Sequence, residues 1–270
     1  YVSEARRMGL TILPPDIQGS DIAWKGSHQS VRVGLFSVKG LSRKCQEVIV
    51  SERQKTVFQS FQDVLQRVRP DESEVRALIN CGALDAFCTA GNRAGLVWEM
   101  AQWQKNRSAL SKNRGLFNDT EGYLRPPKLP DTDELENLRR EFMVLGFLCD
   151  RHPMILYRKG LERLGSVKAV QLNHCIGKRV QFAGWLVTGK RVQTRHGDTM
   201  EFLTFEDETG IVETTFFPKT YERFCHMVDR NRPYVLAGKV EVDWGAVTLT
   251  VDHVEPLAPV NRVDKKGESV

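Results

Sequence analysis

A two-residue alternation of apolar and polar positions between residues 178 and 256 predicts a run of short β-strands. From Val180 to Leu186 every second residue is apolar or glycine, which is the period of a strand with one buried face. Gly-containing turns at 195–198, 208–210 and 243–245 separate such runs. The predicted strands are 179–194, 199–207, 211–217, 234–242 and 246–254, with a helix-like segment at 219–228.

The order of these elements predicts a particular barrel. Three strands, a helix and two further strands is the order of the oligonucleotide/oligosaccharide-binding (OB) fold. That fold offers a strand face and its flanking loops to single-stranded nucleic acid.

Upstream of the barrel the hydrophobic period becomes that of helices. Predicted helices cover 1–9, 54–68, 71–82, 92–112 and 131–146, whereas the prolines of 10–15 require an extended chain. Asp71 and Glu74 have the spacing of a capping box. The fold class is therefore α+β, a helical region followed by a five-stranded OB barrel.

Residues 33–50 have the pattern of a helix-hairpin-helix motif: a short helix, a tight turn, and a second helix capped by Ser42. Such a hairpin presents backbone N–H groups and a helix N-terminus to a DNA phosphate, without reading bases. The second glycine typical of the hairpin is replaced by Ser42, and a glycine turn between helices is also common for purely structural reasons. The candidate duplex-binding residues are Lys39, Gly40, Leu41, Ser42, Arg43 and Lys44.

Charge favours a polyanionic partner for the barrel. The net charge is +5 with a pI near 8.9, and residues 175–197 contain five Lys or Arg and no Asp or Glu. A solvated basic face is the alternative interpretation, and alternation sends some of the aromatic residues into the core. The candidate single-strand-binding residues are Arg179, Trp185, Lys190, Arg191, Gln193, Arg195, Phe202, Phe216 and Lys239.

The six cysteines are widely spaced and form no C-x-x-C pair, so we expect free thiols and neither a zinc site nor a disulfide framework. No apolar run reaches the length of a membrane span and no signal peptide is visible, so we expect a cytoplasmic protein. Because the chain starts at Tyr1 inside apparently structured sequence, we expect a longer parent protein.

The patterns predict six segments along the chain. Residues 113–130 form the clearest linker, because glycines and a Pro-Pro pair interrupt any regular structure there. The predicted segments are 1–30, a helical DNA-binding region 31–112, the linker 113–130, a helical connector 131–172, the OB domain 173–257 and a disordered tail 258–270.

Five collinear blocks resemble the C-terminal region of the alpha subunit of bacterial DNA polymerase III, from the end of the fingers through the helix-hairpin-helix region to the OB domain. The blocks lie at 4–16, 34–40, 77–85, 145–153 and 205–210. The Arg-His-Pro sequence at 151–153 is also similar to error-prone relatives, and the blocks do not separate the two branches.

The resemblance implies DNA as partner and, through the parent protein, other subunits of the polymerase holoenzyme. It also implies nucleotide addition by two Mg²⁺ ions on palm-domain aspartates, but no Asp-x-Asp pair in such a setting occurs here. We expect no cofactor and no polymerase activity from this chain alone. In the family's clamp-binding peptide, Gln-x-x-Leu/Met-Phe, the apolar pair is matched by Leu116 and Phe117, and Asn113 replaces the glutamine; the resemblance therefore implies a sliding clamp as a further partner.

Two other functions fit parts of the sequence. A stand-alone OB and helix-hairpin-helix adaptor of DNA repair or recombination would need the same binding surfaces. The anticodon-binding barrel of a class II tRNA synthetase would fit the turn at 205–210, although the upstream blocks argue against it. The gene context upstream of Tyr1 would discriminate among a polymerase palm, a synthetase core and neither.

Overall fold

The computed structural model describes residues 1–88, 92–112, 130, 133–243 and 245–258, with only the helical backbone for 106–112. The chain divides into two compact units, Tyr1–Asp150 and Arg151–Val270. The segment predicted as a connector, 131–172, is thus shared between the two units.

Unit 1 combines helices with a small sheet. Its elements within the described residues are α1 (Val2–Arg7), β1 (Thr11–Leu13), β2 (Lys25–Ser27), β3 (Ser30–Arg32), α2 (Arg43–Lys55), α3 (Phe61–Val68), α4 (Glu72–Asn80), α5 (Arg93–Lys112) and α6 (Glu134–Leu145). β3 lies between β1, to which it is parallel, and β2, to which it is antiparallel. The sequence patterns did not predict β2 and β3, because three-residue strands are too short to show a period.

The first helix predicted for the hairpin motif is only a three-residue 3-10 turn, Leu35–Ser37. The N–H groups of Leu35 and Phe36 donate to the carbonyls of Asp21 and Ile22 at 2.9 and 3.0 Å. A Cβ on Gly34 would lie 2.5 Å from the Ile22 oxygen. Tertiary hydrogen bonds to the preceding loop therefore replace helix propagation here, and the predicted helix was wrong.

The helix predicted over 54–68 was also wrong, because the chain breaks it into two. α2 continues to Lys55 and α3 begins at Phe61, with Ser60 as N-cap accepting from the Asp63 N–H at 3.1 Å. The intervening loop is held from outside: the Phe58 N–H donates to Gln18 Oε1 at 3.1 Å. Local caps and this long-range bond stabilise the break.

Other helix ends agree with the prediction. Asp71 and Glu74 form the predicted capping box of α4. α6 ends at Gly146, which has a φ of +81°, the left-handed conformation typical of a C-terminal glycine. α4 contacts both α5 and α6 around one apolar core, which includes Ile49 of α2 and Leu78 of α4.

Unit 2 contains a closed barrel, as predicted. Its elements are α7 (Arg158–Leu164), β4 (Arg179–Gln193), β5 (Thr199–Glu206), β6 (Ile211–Phe216), α8 (Pro218–Phe224), β7 (Pro233–Asp243) and β8 (Ala246–Pro256), with short 3-10 helices at 153–157, 169–175 and 225–227. Hydrogen bonds join the strands in the closed order β4-β5-β6-β8-β7. The five predicted strands thus match the observed ones closely.

The barrel buries side chains on both faces of β4. Phe182 lies in the interior cluster, whereas its neighbour Ala183 packs outside the barrel with Met154, Val235 and Leu257. The segment before β4 therefore covers part of the outer surface and leaves the remainder open.

All six cysteines are free thiols, and Cys45, Cys81 and Cys149 are buried. Burial raises the pKa of Cys45 and of Cys81 to about 12. No helix within the described residues combines the length and the apolar character needed to cross a bilayer.

Candidate nucleic-acid interface

The turn before α2 exposes backbone and charge together. Gly40 has a φ of +87°, and only the Ala77 Cβ would lie within 4 Å of an added Cβ. Arg43 and Lys44 follow at the start of α2 and are exposed. Their backbone N–H groups occupy the first helical turn, where no intrahelical acceptor exists. The predicted hairpin geometry is therefore present on the N-terminal side of α2.

A buried carboxylate ties this turn to the next helix pair. Glu74, only 7% exposed, accepts from the Ser42 N–H at 3.2 Å and the Ser42 hydroxyl at 2.5 Å through Oε1. Its other oxygen accepts from the Asp71 N–H at 2.9 Å. One side chain thus joins the N-termini of α2 and α4.

One predicted duplex-binding side chain is buried, and another is engaged within the protein. Leu41 is 6% exposed and belongs to the core of unit 1. The Ser42 hydroxyl is engaged with Glu74 and also accepts from the Cys45 N–H at 3.2 Å. We therefore correct the assignment of Leu41, whereas Lys39, Gly40, Ser42, Arg43 and Lys44 are exposed and stay predictions.

On the barrel, Lys190 and Phe202 meet on the outer surface. They are directly paired across β4 and β5, and direct cross-strand partners share one face of a sheet. The preceding pair points inward, because an added Cβ on Gly189 would lie 2.4 Å from Leu203 Cδ2. Lys190 is exposed and Phe202 is 37% exposed. An aromatic ring and an ammonium group thus lie side by side in the open.

Arg191, the next residue on β4, points to the opposite face. Its guanidinium carbon lies 5.4 Å from the centroid of the Tyr221 ring in α8. Strand alternation therefore divides the predicted basic cluster: Lys190 is on the outer face, and Arg191 packs against α8.

One predicted aromatic contact is corrected by burial. Phe216 is 1% exposed and lies in the barrel interior, so it offers no stacking surface. Trp185 is half-buried, its indole N–H donates to the Arg230 carbonyl at 2.9 Å, and its ring meets Tyr157 edge-on at 6.0 Å. Stacking on Trp185 stays a prediction.

The remaining basic candidates differ in their partners. Arg179 forms an ion pair with Asp252, and Lys239 Nζ lies 3.1 Å from Glu241 Oε1, so carboxylates already oppose both charges. Gln193 and Arg195 are exposed at the end of β4 and in the β4–β5 turn. Exposed ion pairs contribute little stability, but they reduce the local positive potential.

Acidic residues near these surfaces were missed by the sequence analysis. Glu213 is exposed on the outer face, opposite Thr204 on β5. Glu74 is the buried link described above, and its capping-box position was the available signal. Its reach to Ser42 could not be predicted, because 32 residues separate the two along the chain.

Asn113, Leu116 and Phe117, the predicted clamp peptide, lie outside the described residues. Among the residues that the structure does describe, no group of three or more His, Cys, Asp or Glu could hold a metal ion.

Two family models match the chain at the positions of these surfaces. A helix-hairpin-helix motif matches residues 9–96, and an OB-fold nucleic acid binding domain matches residues 180–257. Among solved structures, a domain of replication protein A from Methanococcus maripaludis aligns with a TM-score of 0.30 and 17% identity, covering 34% of this chain and 94% of that one. The two family models define the class: a protein that combines a helix-hairpin-helix motif with an OB-fold nucleic acid binding domain.

Full-length relatives make the assignment more specific. The chain is 30% identical to DNA polymerase III subunit alpha of Bacillus subtilis, over 95% of this chain and 24% of the relative, and 31% identical to that of Thermus aquaticus, over 89% and 20%. It is 29% identical to the error-prone DNA polymerase of Corynebacterium glutamicum, over 95% and 23%.

The chain is therefore a homologue of DNA polymerase III subunit alpha and of the error-prone DNA polymerases, as the five sequence blocks predicted. It spans about a quarter or less of the length of these three relatives. The similar identities do not separate the two branches.

Proposed function

We propose that this chain is the DNA-holding portion of a DNA polymerase of the III alpha type. In this proposal the turn at 39–44 holds duplex DNA, and the outer face of β4 and β5 binds the single-stranded template. The support is the homology, the two nucleic-acid-binding folds and the exposed groups of both surfaces. The cytoplasmic location, the sliding clamp and other holoenzyme subunits remain predictions.

The observation that carries the proposal is the Lys190–Phe202 pair. A ring exposed beside an ammonium group can stack on a base while the charge attracts the adjacent phosphate. Stacking contributes about 1–3 kcal/mol per base, and each phosphate contact on a single strand adds about 0.7 to the salt slope. Both effects are measurable in a titration of a fluorescent oligonucleotide.

The test compares adjacent residues of equal charge on opposite faces. Lys190→Ala should weaken single-strand binding and lower its salt slope by about 0.7, whereas Arg191→Ala should change the slope much less. Phe202→Ala should weaken binding about 5-fold to 100-fold, with the salt slope retained.

The proposal fails if Lys190→Ala and Phe202→Ala both bind oligonucleotides like the wild type. Equal slope changes for Lys190→Ala and Arg191→Ala would instead show that general charge, and not the outer face, controls binding. Melting temperatures of all variants control for folding.

For duplex DNA, the support is the combination of Gly40 with the start of α2. The positive φ of Gly40 turns the chain just before α2, and the N–H groups of Arg43 and Lys44 lie in the first turn of that helix, where no intrahelical acceptor exists. Backbone donors of this kind bind phosphate without sequence preference. Glu74 limits the contact to these groups, because it already accepts from the Ser42 N–H.

For the clamp, the support lies in the sequence alone. Leu116 and Phe117 are two large apolar residues within a polar segment punctuated by Gly and Pro. Asn113 stands where the family's peptide has glutamine. We propose that Leu116 and Phe117 insert into a pocket of the sliding clamp.

A further inference from the structure

A pocket of about 680 Å³ opens in unit 2 beside the barrel. Its walls come from residues 151–168, which precede β4, and from Glu208 in the β5–β6 turn. Met154, Ile155 and Leu161 supply apolar surface. The volume falls within the roughly 300–1,000 Å³ typical of small-molecule sites.

Two basic residues that line the pocket, Arg158 and Lys168, are paired with carboxylates. Lys168 Nζ lies 2.5 Å from Glu208 Oε1, and Arg158 Nε lies 3.0 Å from Glu162 Oε1. Burial opposes ionisation of Glu208, but the hydrogen bond and charge of Lys168 outweigh it and lower the pKa of Glu208. Because a carboxylate already opposes each of these two cations, the mouth favours a neutral, flat group with donors and acceptors over a phosphate.

One pocket wall adjoins strand β5 of the barrel. His152, a buried wall residue, has its Nε2 3.3 Å from Glu206 Oε1, without the alignment of a hydrogen bond. Along β5, Phe202, Thr204 and Glu206 alternate with two buried residues and therefore share the outer face.

The pocket and the exposed ring lie within reach of one nucleic-acid strand. At a rise of about 3.3 Å per residue, Glu206 is roughly 13 Å along β5 from Phe202. A stacked strand advances about 3.4 Å per nucleotide, and an unstacked strand advances further. Glu206, which adjoins His152 of the pocket wall, is therefore four nucleotides or fewer from Phe202 along β5.

We propose that this pocket receives one unstacked base of the single strand whose other base stacks on Phe202. The inference rests on the proposed single-strand site. The base would lie against Met154, Ile155 and Leu161, with its polar edge toward Ser166 and the Lys168–Glu208 pair. Proteins commonly bind splayed bases of single strands in this manner.

Pocket-filling variants and missing bases test the inference together. Oligonucleotides of about 12 nucleotides, within the usual site size of an OB fold, would each lack one base at a different position. With wild-type protein, loss of the base at the pocket position should weaken binding about 5-fold to 100-fold. Ile155→Trp and Ser166→Phe should weaken the intact oligonucleotide similarly, and the missing base should then cost nothing more.

Val170→Trp is the matched control, because Val170 is 64% exposed and is not a pocket residue. It should bind all oligonucleotides like the wild type. Phe202→Ala should also remove the sensitivity to a missing base. The oligonucleotide position concerned should differ from the position that the pocket variants affect.

Three outcomes are decisive. If folded Ile155→Trp and Ser166→Phe bind like the wild type while Lys190→Ala and Phe202→Ala weaken binding, the pocket inference fails and the single-strand proposal stands. If Lys190→Ala and Phe202→Ala have no effect, both fail. If the filling variants do not fold, 2-aminopurine scanned along the strand with wild-type protein decides: no position of enhanced fluorescence beyond that at Phe202 overturns the inference.

Discussion

The turn at 39–44 and the outer face of β4 and β5 expose binding groups in different ways. In the turn, neighbouring residues act through the backbone, and the left-handed Gly40 presents the donors. On the barrel, Lys190 and Phe202 are 12 positions apart along the chain and meet only through strand pairing. Local sequence therefore determines the first surface, whereas register determines the second.

This difference has a consequence for specificity. Backbone N–H groups at a helix start donate to any phosphate, whereas an exposed ring needs an unpaired base. We therefore expect the turn to prefer duplex DNA and the barrel to prefer single strands, with independent responses to mutation.

The largest expected effect concerns the proposed clamp contact. Leu116→Ala combined with Phe117→Ala should abolish detectable clamp binding in calorimetry, because burying both side chains contributes about 3–6 kcal/mol before ordering costs. DNA affinity and melting temperature should not change. Val57→Ala, at a 57% exposed apolar residue of unit 1, is the control. If the wild type shows no clamp binding and the double variant has a lower melting temperature, both residues belong to a core and the clamp proposal is wrong.

Two glycines with the same φ allow the two proposed DNA-binding surfaces to be disrupted one at a time. Gly40 and Gly197, in the β4–β5 turn, both have a φ of +87°. A β-branched residue is strained there by about 1–2 kcal/mol. Gly40→Val should weaken duplex binding about 10-fold without affecting single strands, and Gly197→Val should affect only single strands, in parallel fluorescence-anisotropy titrations. Equal losses for both ligands would contradict independent surfaces.

The barrel strands could be predicted from sequence because alternation and turn residues are local signals. The face of the sheet to which each side chain points could not be predicted in this way. The alternation of 180–186 extrapolates to an inward Lys190, but a bulge at Val187, where the β4–β5 register shifts between Leu186 and Thr188, reverses the inward and outward positions beyond it. One extra residue therefore exposes Lys190 and turns Arg191 toward α8.

The helical unit shows the complementary limit. Caps at Ser42 and Asp71 were predicted from spacing of a few residues and agree with the structure, whereas Ser60, which lies inside the helix predicted over 54–68, was missed as a cap. The first helix of the hairpin is only a 3-10 turn, which is held by hydrogen bonds to the carbonyls of Asp21 and Ile22. No local sequence pattern could identify these partners. The clamp peptide remains a sequence prediction.

The smallest expected effect tests how the hairpin is held. Asp71 caps α4 and donates its own N–H to Glu74, which in turn fixes Ser42. Asp71→Ala should lower the free energy of unfolding of unit 1 by about 1 kcal/mol and should leave the barrel unchanged. Asp71→Asn, which retains a capping oxygen, should lower the free energy of unfolding by less.

The pH dependence of that contribution has a definite sign. The hydrogen bond from the Glu74 N–H, with a further one from Ser73, lowers the pKa of Asp71 below its ordinary value. A lowered pKa in the folded state stabilises the protein above the unfolded-state pKa, and the stabilisation is lost as pH falls through the folded-state value. As pH is lowered, the free energy of unfolding should therefore fall less steeply for Asp71→Asn than for the wild type. Parallel curves would show that the Asp71 charge contributes nothing to the stability of unit 1.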